Sequence, residues 1–315
     1  MKIFLLGATG YIGGDLLYLL NKTHPEYEIT VLVRDQDKAA IIAAEYPRVK
    51  IALGDNNSAD VIAEEVAKAD LIYHAANSAD DVSSVQSISH ALRKFSTDKS
   101  IHYIHTSGTG LLTHDAGPSQ PRHGKIYHDI TDIDDITSFP SAADHRNVDE
   151  IVLDLATAEP ERIKTAIVCP AVIYGTGRGL VKRSSLAVPF IAADVLKRGA
   201  GIAPEGDTNA ASSTALWGKD AYYFVEAGES DWADIVRQVV HEAHEAGLIQ
   251  SEEVKYLNKA DAVEQGGPVY AYFFTNSRSR GSRARELLDW EPVQVGIEGT
   301  FREAVMAEAS KLGML

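Results

Sequence analysis

The first fourteen residues constrain the fold of this chain more than any other stretch. An apolar run ends on Gly7-Ala8-Thr9-Gly10-Tyr11-Ile12-Gly13-Gly14, and an amphipathic segment, residues 15–20, follows at once. A buried strand that breaks at glycine and re-forms as a helix has this pattern. Gly7 permits the tight turn, Gly10 lets the backbone approach a pyrophosphate, and Gly13 lets the helix lie close on the strand. A helix N-terminus offers unpaired N–H groups and the positive end of a dipole, so it favours an anion at that place.

The pattern repeats downstream. Short apolar runs at 29–33, 49–53, 70–74, 101–106 and 163–168 read as strands, and 38–46, 59–67, 82–94 and 147–158 carry helical spacing between them. Strict alternation predicts an α/β, doubly wound parallel sheet with helices on both faces and a ligand edge at the strand carboxyl ends. Beyond Pro170 the alternation fades. Residues 199–213, rich in Gly, Ala and Ser, read as a loop, before a strand at 221–225 and helices at 232–246 and 298–311. The expected organisation is a dinucleotide-binding domain over 1–170 and a smaller, partly interleaved substrate lobe over 171–315.

A net charge of −15 argues against a nucleic-acid partner. The single cysteine, Cys169, cannot close an internal disulfide, and Cys/His spacing predicts no metal site. The apolar start is too short for a signal peptide, and no run is long enough to span a membrane, so a cytoplasmic monomer or homodimer acting on a small molecule is expected.

Six segments, in order, resemble the extended short-chain dehydrogenase/reductase family in its nucleoside-diphosphate-sugar epimerase and dehydratase branch. They are the loop at 7–13, Gly54-Asp55, the run Asp70-Leu71-Ile72-Tyr73-His74-Ala75-Ala76, His105-Thr106-Ser107, Cys169-Pro170-Ala171-Val172-Ile173-Tyr174-Gly175, and the closing stretch from Ser282 to Pro292. The resemblance implies cofactor contacts from Gly7, Thr9, Gly10, Tyr11, Ile12 and Gly13, an adenine contact from Asp55, and small residues, Ala75 and Ala76, under the cofactor. It also implies that Pro170 and Tyr174 border the nicotinamide and that Ser107 is the catalytic serine.

The departure from that family lies in its Tyr-x-x-x-Lys pair, in which a lysine lowers the pKa of a proton-exchanging tyrosine. Here the equivalent helix opens Pro140-Ser141-Ala142-Ala143-Asp144-His145-Arg146-Asn147-Val148-Asp149-Glu150. With Asp149 in place of the family's following glutamate, Ser141 and His145 take the two positions; with Glu150 there, Ala142 and Arg146 do. Neither register supplies the tyrosine, and Tyr127 belongs to another segment. His145 has the chemistry of a proton donor, or of a helix-start residue bonded locally.

Arg34 ends the second strand, where a carboxylate would hold the ribose 2′-hydroxyl of NAD. An arginine there can pair with the 2′-phosphate of NADP, or with Asp35 or Asp37. These readings predict an NADP-preferring oxidoreductase or epimerase-like enzyme, with NAD possible. It would act on a small carbonyl, alcohol or sugar-derived substrate through Ser107 and His145. The alternatives are a non-catalytic dinucleotide sensor, which needs no acid–base pair, and an isomerase or lyase that keeps the cofactor as a structural element.

Overall fold

A computed structural model of the chain describes residues 1–94, 99–113, 125–204 and 217–315. Seven strands form one parallel sheet: β1 (Lys2–Leu6), β2 (Glu28–Val33), β3 (Lys50–Leu53), β4 (Leu71–His74), β5 (Ile101–Thr106), β6 (Ile163–Pro170) and β7 (Tyr222–Val225). Their spatial order is β3-β2-β1-β4-β5-β6-β7, so the direction of winding reverses between β1 and β4. The carboxyl ends of those two strands open the crevice in which such sheets bind ligands.

Alternation along β1 builds both faces. Phe4 and Leu6 join one core with helices α3 (Ala59–Val66), α4 (Val82–Lys94) and α5 (Arg146–Ala158). Ile3 and Leu5 join the opposite core, with Leu17 of α1 (Tyr11–Thr23) and Ile42 of α2 (Gln36–Glu45). One cross-strand row places the functional edge: His74 on β4 is level with His105 on β5, which faces Ile167 on β6, which faces Tyr222 on β7.

The later part of the chain holds a second core. Helices α6 (Ala187–Arg198), α7 (Trp232–Glu245) and α8 (Phe301–Lys311) enclose it with a parallel strand pair, Gly201–Pro204 and Val254–Leu257. The first of these strands corrects the expectation of a loop over 199–213; residues 205–213 of that stretch lie outside the described residues. Gly201 is what allows it, because a Cβ there would lie 2.6 Å from Val236 and 2.7 Å from Val240. The glycine serves close packing on α7, which a composition-based reading takes for flexibility. Among the described residues, no helix is long and apolar enough to cross a membrane.

Candidate functional site: a dinucleotide edge with a buried acid behind it

Gly7 takes a left-handed conformation, φ 98°, and its carbonyl accepts from Gly10 N at 2.8 Å. A Cβ on Gly7 would lie 2.6 Å from the Ala75 carbonyl, and one on Gly13 only 2.3 Å from Gly7 O. Two of the three glycines are thus required by the protein's own packing. Gly10 is different: its Cβ would meet a single atom, Gly7 O at 3.1 Å, with open space beyond. Gly10 caps α1 without any side-chain acceptor, and the first turn holds no acidic residue. This N-terminus therefore fits a pyrophosphate, being open and free of a competing carboxylate.

Thr9 and Ile12 are half-buried flanks of the loop. The Tyr11 hydroxyl lies within donating distance of Tyr174 O (2.8 Å) and Gly175 O (2.9 Å), fastening the loop to the segment that follows β6. Burial, aided by Asp15 and Glu303, pushes its pKa up to about 12. Tyr174 reaches the loop through its backbone, while its ring packs against the second core. Pro170 closes β6 and is half-buried. Ala75 N continues the ladder to Leu6 O at 2.9 Å, and the Asn56 amide donates to Ala76 O (2.9 Å) and to Asp81 (2.6 Å).

At the adenosine end, Asp35 caps α2, accepting from the backbone N–H of Asp37 (3.0 Å) and Lys38 (3.1 Å), and pairs with the Lys38 ammonium. Arg34 stands exposed beside it, with no hydrogen-bond or ion-pair partner among the described residues. The Asp55 carboxylate accepts from Asn57 N and from Ser58 Oγ, both at 2.9 Å, which holds its pKa below the usual carboxylate range.

Ser107 extends β5 by one residue, its N–H bonded to Val168 O at 2.8 Å, which brings it to the carboxyl edge. His145 comes to the same place from the start of α5. Its backbone is left-handed, φ 66°, and its Nδ1 lies 2.8 Å from Asp80 Oδ1. A Cβ on Gly108 or Gly110 would fall 3.1 Å or 2.7 Å from His145 Nε2, so the ring lies against the loop that follows Ser107. Of the two registers open in the sequence, the one through Asp149 sets a side chain under this edge. In the other, Ala142 is exposed and the buried Arg146 donates to the carbonyls of Phe139 and Thr137; Ser141 of the first register is exposed and donates to Glu150 at 2.8 Å. Tyr127 packs against Phe139 in the core.

Behind Ser107 lies a polar network that sequence reasoning missed. Asp149 is fully buried, and its Oδ2 accepts from Ser107 Oγ at 3.0 Å and from the Tyr222 hydroxyl. Its Oδ1 faces His105 Nε2 at 3.6 Å, and neither of those atoms has another partner. The Tyr103 hydroxyl then links His105 Nδ1 (3.2 Å) to His74 Nδ1 (3.4 Å), and His74 Nε2 reaches Ser84 at 3.3 Å. Burial pushes Asp149 up to about 6, against its hydrogen bonds from Tyr222 and Ser107, and holds His105 well below its ordinary value. The signal was present in α5: Asp149 sits in the buried stripe of Val148, Val152, Leu155 and Ala156, a position that an acid occupies only with partners.

One member of the acidic run 129–135 also lies in the core. Asp129 is fully buried, accepting from Phe224 N at 2.8 Å and from Arg283 N at 3.3 Å.

Comparison with known proteins agrees with this geometry. Residues 7–173 match the NAD(P)H-binding family model. The oxidase ucsJ of Acremonium sp is 30% identical over 346 residues, covering 99% of both chains. Among solved structures, dTDP-glucose 4,6-dehydratase of Bacillus anthracis, in complex with NAD, superposes with a TM-score of 0.65 at 13% identity, covering 97% of this chain and 96% of its own. The UDP-glucuronic acid 4-epimerase of Bacillus cereus, in complex with UDP-glucuronic acid and NAD, gives 0.63 at 15% identity over 99% and 100%. The family match spans more than half of the chain, from the phosphate loop to the end of β6, and this chain belongs to the NAD(P)H-binding family, on the fold of the extended short-chain dehydrogenases/reductases.

Proposed function

We propose that the protein is an NADP-preferring oxidoreductase that interconverts a small alcohol and its carbonyl at the edge formed by Ser107 and His145. The observation that carries this reading is the meeting of a buried hydroxyl and an imidazole at the carboxyl edge, where the phosphate loop also ends. A nicotinamide bound there supplies or accepts hydride at its C4. The chain's own residues do the rest. Gly10 and the α1 N-terminus hold the pyrophosphate, Ser107 orients the substrate oxygen, and His145, steadied by Asp80, passes the proton to water. Ser107→Ala and His145→Ala are each expected to lower turnover by about a hundredfold or more while cofactor affinity changes little, measured as NADPH-linked rates over a panel of aldehydes, ketones and sugar nucleotides.

Cofactor choice rests on Arg34. Asp35 is committed to its cap, and Arg34, whose charge helps hold the Asp55 pKa down, can turn its guanidinium to charge-assisted bonds with a 2′-phosphate. The expected preference for NADP(H) over NAD(H) is roughly ten- to a hundredfold, and Arg34→Asp is expected to erase or reverse it. Equal or tighter NAD(H) binding by the unmodified protein, measured as dissociation constants, rules the preference out. One observation favours a second reading, a dinucleotide sensor: Ser107 already gives its only proton inward, to Asp149. Cofactor binding without turnover of any panel member would select it.

A further inference from the structure

We propose that Asp149 is the base of this site, working through Ser107, and that the edge is built to take a proton from an alcohol. The inference rests on the redox reading above and deepens it. Three observations carry it. A serine hydroxyl has one proton, and here it is donated to Asp149 Oδ2, so the lone pairs of Ser107 are what a ligand at the edge would meet. A substrate hydroxyl can donate to that oxygen, whereas a carbonyl finds no donor in it. Among the described residues no lysine or arginine bonds to the carboxylate, whose close partners are the hydroxyls of Ser107 and Tyr222. Its second oxygen has no hydrogen-bond partner and faces, at 3.6 Å, the Nε2 of a fully buried histidine, His105, so no bond to Oδ1 holds the carboxylate in its ionised form.

The step balances. The substrate O–H breaks as its proton passes to Ser107 Oγ, and the Ser107 O–H breaks as its proton passes to Asp149. The electron pair of the alcohol C–H leaves with its hydrogen as hydride for an oxidised nicotinamide dinucleotide, and a carbonyl remains. The proton on Asp149 returns through Ser107 to water at His145 after product leaves. Below its midpoint Asp149 carries the proton and donates to Ser107, whose own hydrogen then turns outward; the same relay in that state serves carbonyl reduction.

The groups facing Asp149 fix the direction of its titration. Tyr222 and Ser107 favour the ionised form by hydrogen bonding, and His145 and Arg146 favour it by charge; burial opposes them and prevails, setting the midpoint at about 6. His105 stays neutral, since burial holds its pKa well below its ordinary value, and Tyr103 and Cys169, pushed up by burial, stay neutral as well.

The test uses the full chain with labelled aspartate carboxyl carbons, without cofactor, and Asp149→Asn to identify the signal. Asp149 is expected to titrate near pH 6, and in Ser107→Ala its midpoint is expected to rise by about one to two pH units, because the carboxylate loses a donor. With NADP+ and a panel of secondary alcohols, the oxidation rate is expected to rise with pH through that midpoint, and Asp149→Asn to abolish the limb. Tyr222→Phe, which leaves Ser107 in place, is expected to move the limb upward and serves if the asparagine variant does not fold. A midpoint in the ordinary carboxylate range, a midpoint unmoved in Ser107→Ala, or a limb that persists in Asp149→Asn overturns the inference. Absence of turnover with every alcohol, beside the expected titration, overturns the redox reading itself.

Discussion

A Gly10→Val variant is expected to fold and to lose dinucleotide binding by more than about a hundredfold, a cost of roughly 3 kcal/mol or more. The backbone at Gly10, φ −84° and ψ 178°, is extended and open to any residue. An added Cβ meets only Gly7 O, at 3.1 Å, a contact that relaxes with a shift of a few tenths of an ångström. The two methyl groups beyond it then stand in the space above the α1 N-terminus, where the pyrophosphate has to approach the backbone. Gly13→Val makes the contrast. Its Cβ would sit 2.3 Å from Gly7 O and 2.7 Å from Gly7 C, so helix and turn must separate, and that variant is expected to lose stability before it loses a ligand. Calorimetric titration with NADP+ beside thermal unfolding separates the two effects. A folded Gly10→Val protein that binds as tightly as the parent would falsify the dinucleotide reading of the loop.

The same comparison marks what was legible in the sequence. The spacing of Gly7, Gly10 and Gly13 between an apolar run and an amphipathic one specifies strand, turn and helix, because each glycine answers a local steric demand. The parallel sheet was legible for a related reason: strands covered on both faces tend to continuous apolar runs, and 3–6 and 31–33 read that way. Arg34 was legible as a charge at a strand end, although Asp35 could be seen to spend itself on the α2 cap only once the N–H groups of Asp37 and Lys38 were placed.

The buried network was not legible as a network. His74, His105 and Tyr222 lie far apart in the chain, and parallel register brings them to one level of the sheet. Each alone reads as an ordinary strand residue. Asp149 carried a local signal, an acid in an apolar stripe, but its partners come from β5 and β7, and pairing over such separations is invisible to spacing. For the same reason the burial of Asp129 is not legible within the acidic run 129–135. Its acceptors are filled from Phe224 and Arg283, roughly a hundred residues and more along the chain.

Arg283→Ala is expected to cost about 3–5 kcal/mol of stability, a large part of the 5–15 kcal/mol that holds a typical domain together. Among the described residues, Arg283 is the largest side chain to be fully buried. Its Nε donates to Asp129 O at 3.0 Å, a terminal nitrogen donates to the same carbonyl, and its guanidinium lies 5.8 Å from the centre of the Tyr223 ring. Asp129 in turn takes the backbone N–H of Phe224 on β7, so this one cluster joins three segments: the short strand Tyr127–His128, the edge strand of the main sheet, and the helix Ser282–Leu288. Truncation to alanine leaves a cavity the size of a guanidinium and its stem, strips two donors from a buried carbonyl, and removes the cation beside a buried carboxyl. Arg283→Lys is expected to recover little, because an ammonium on a shorter stem cannot present two donors in the plane of a guanidinium. Arg280, exposed and three residues away, supplies the control: Arg280→Ala is expected to change stability by no more than about 0.5 kcal/mol. Urea unfolding of the three variants measures the differences directly. An Arg283→Ala protein as stable as the Arg280→Ala control would show that packing elsewhere, and not this buried cluster, fastens the helix Ser282–Leu288 to the sheet.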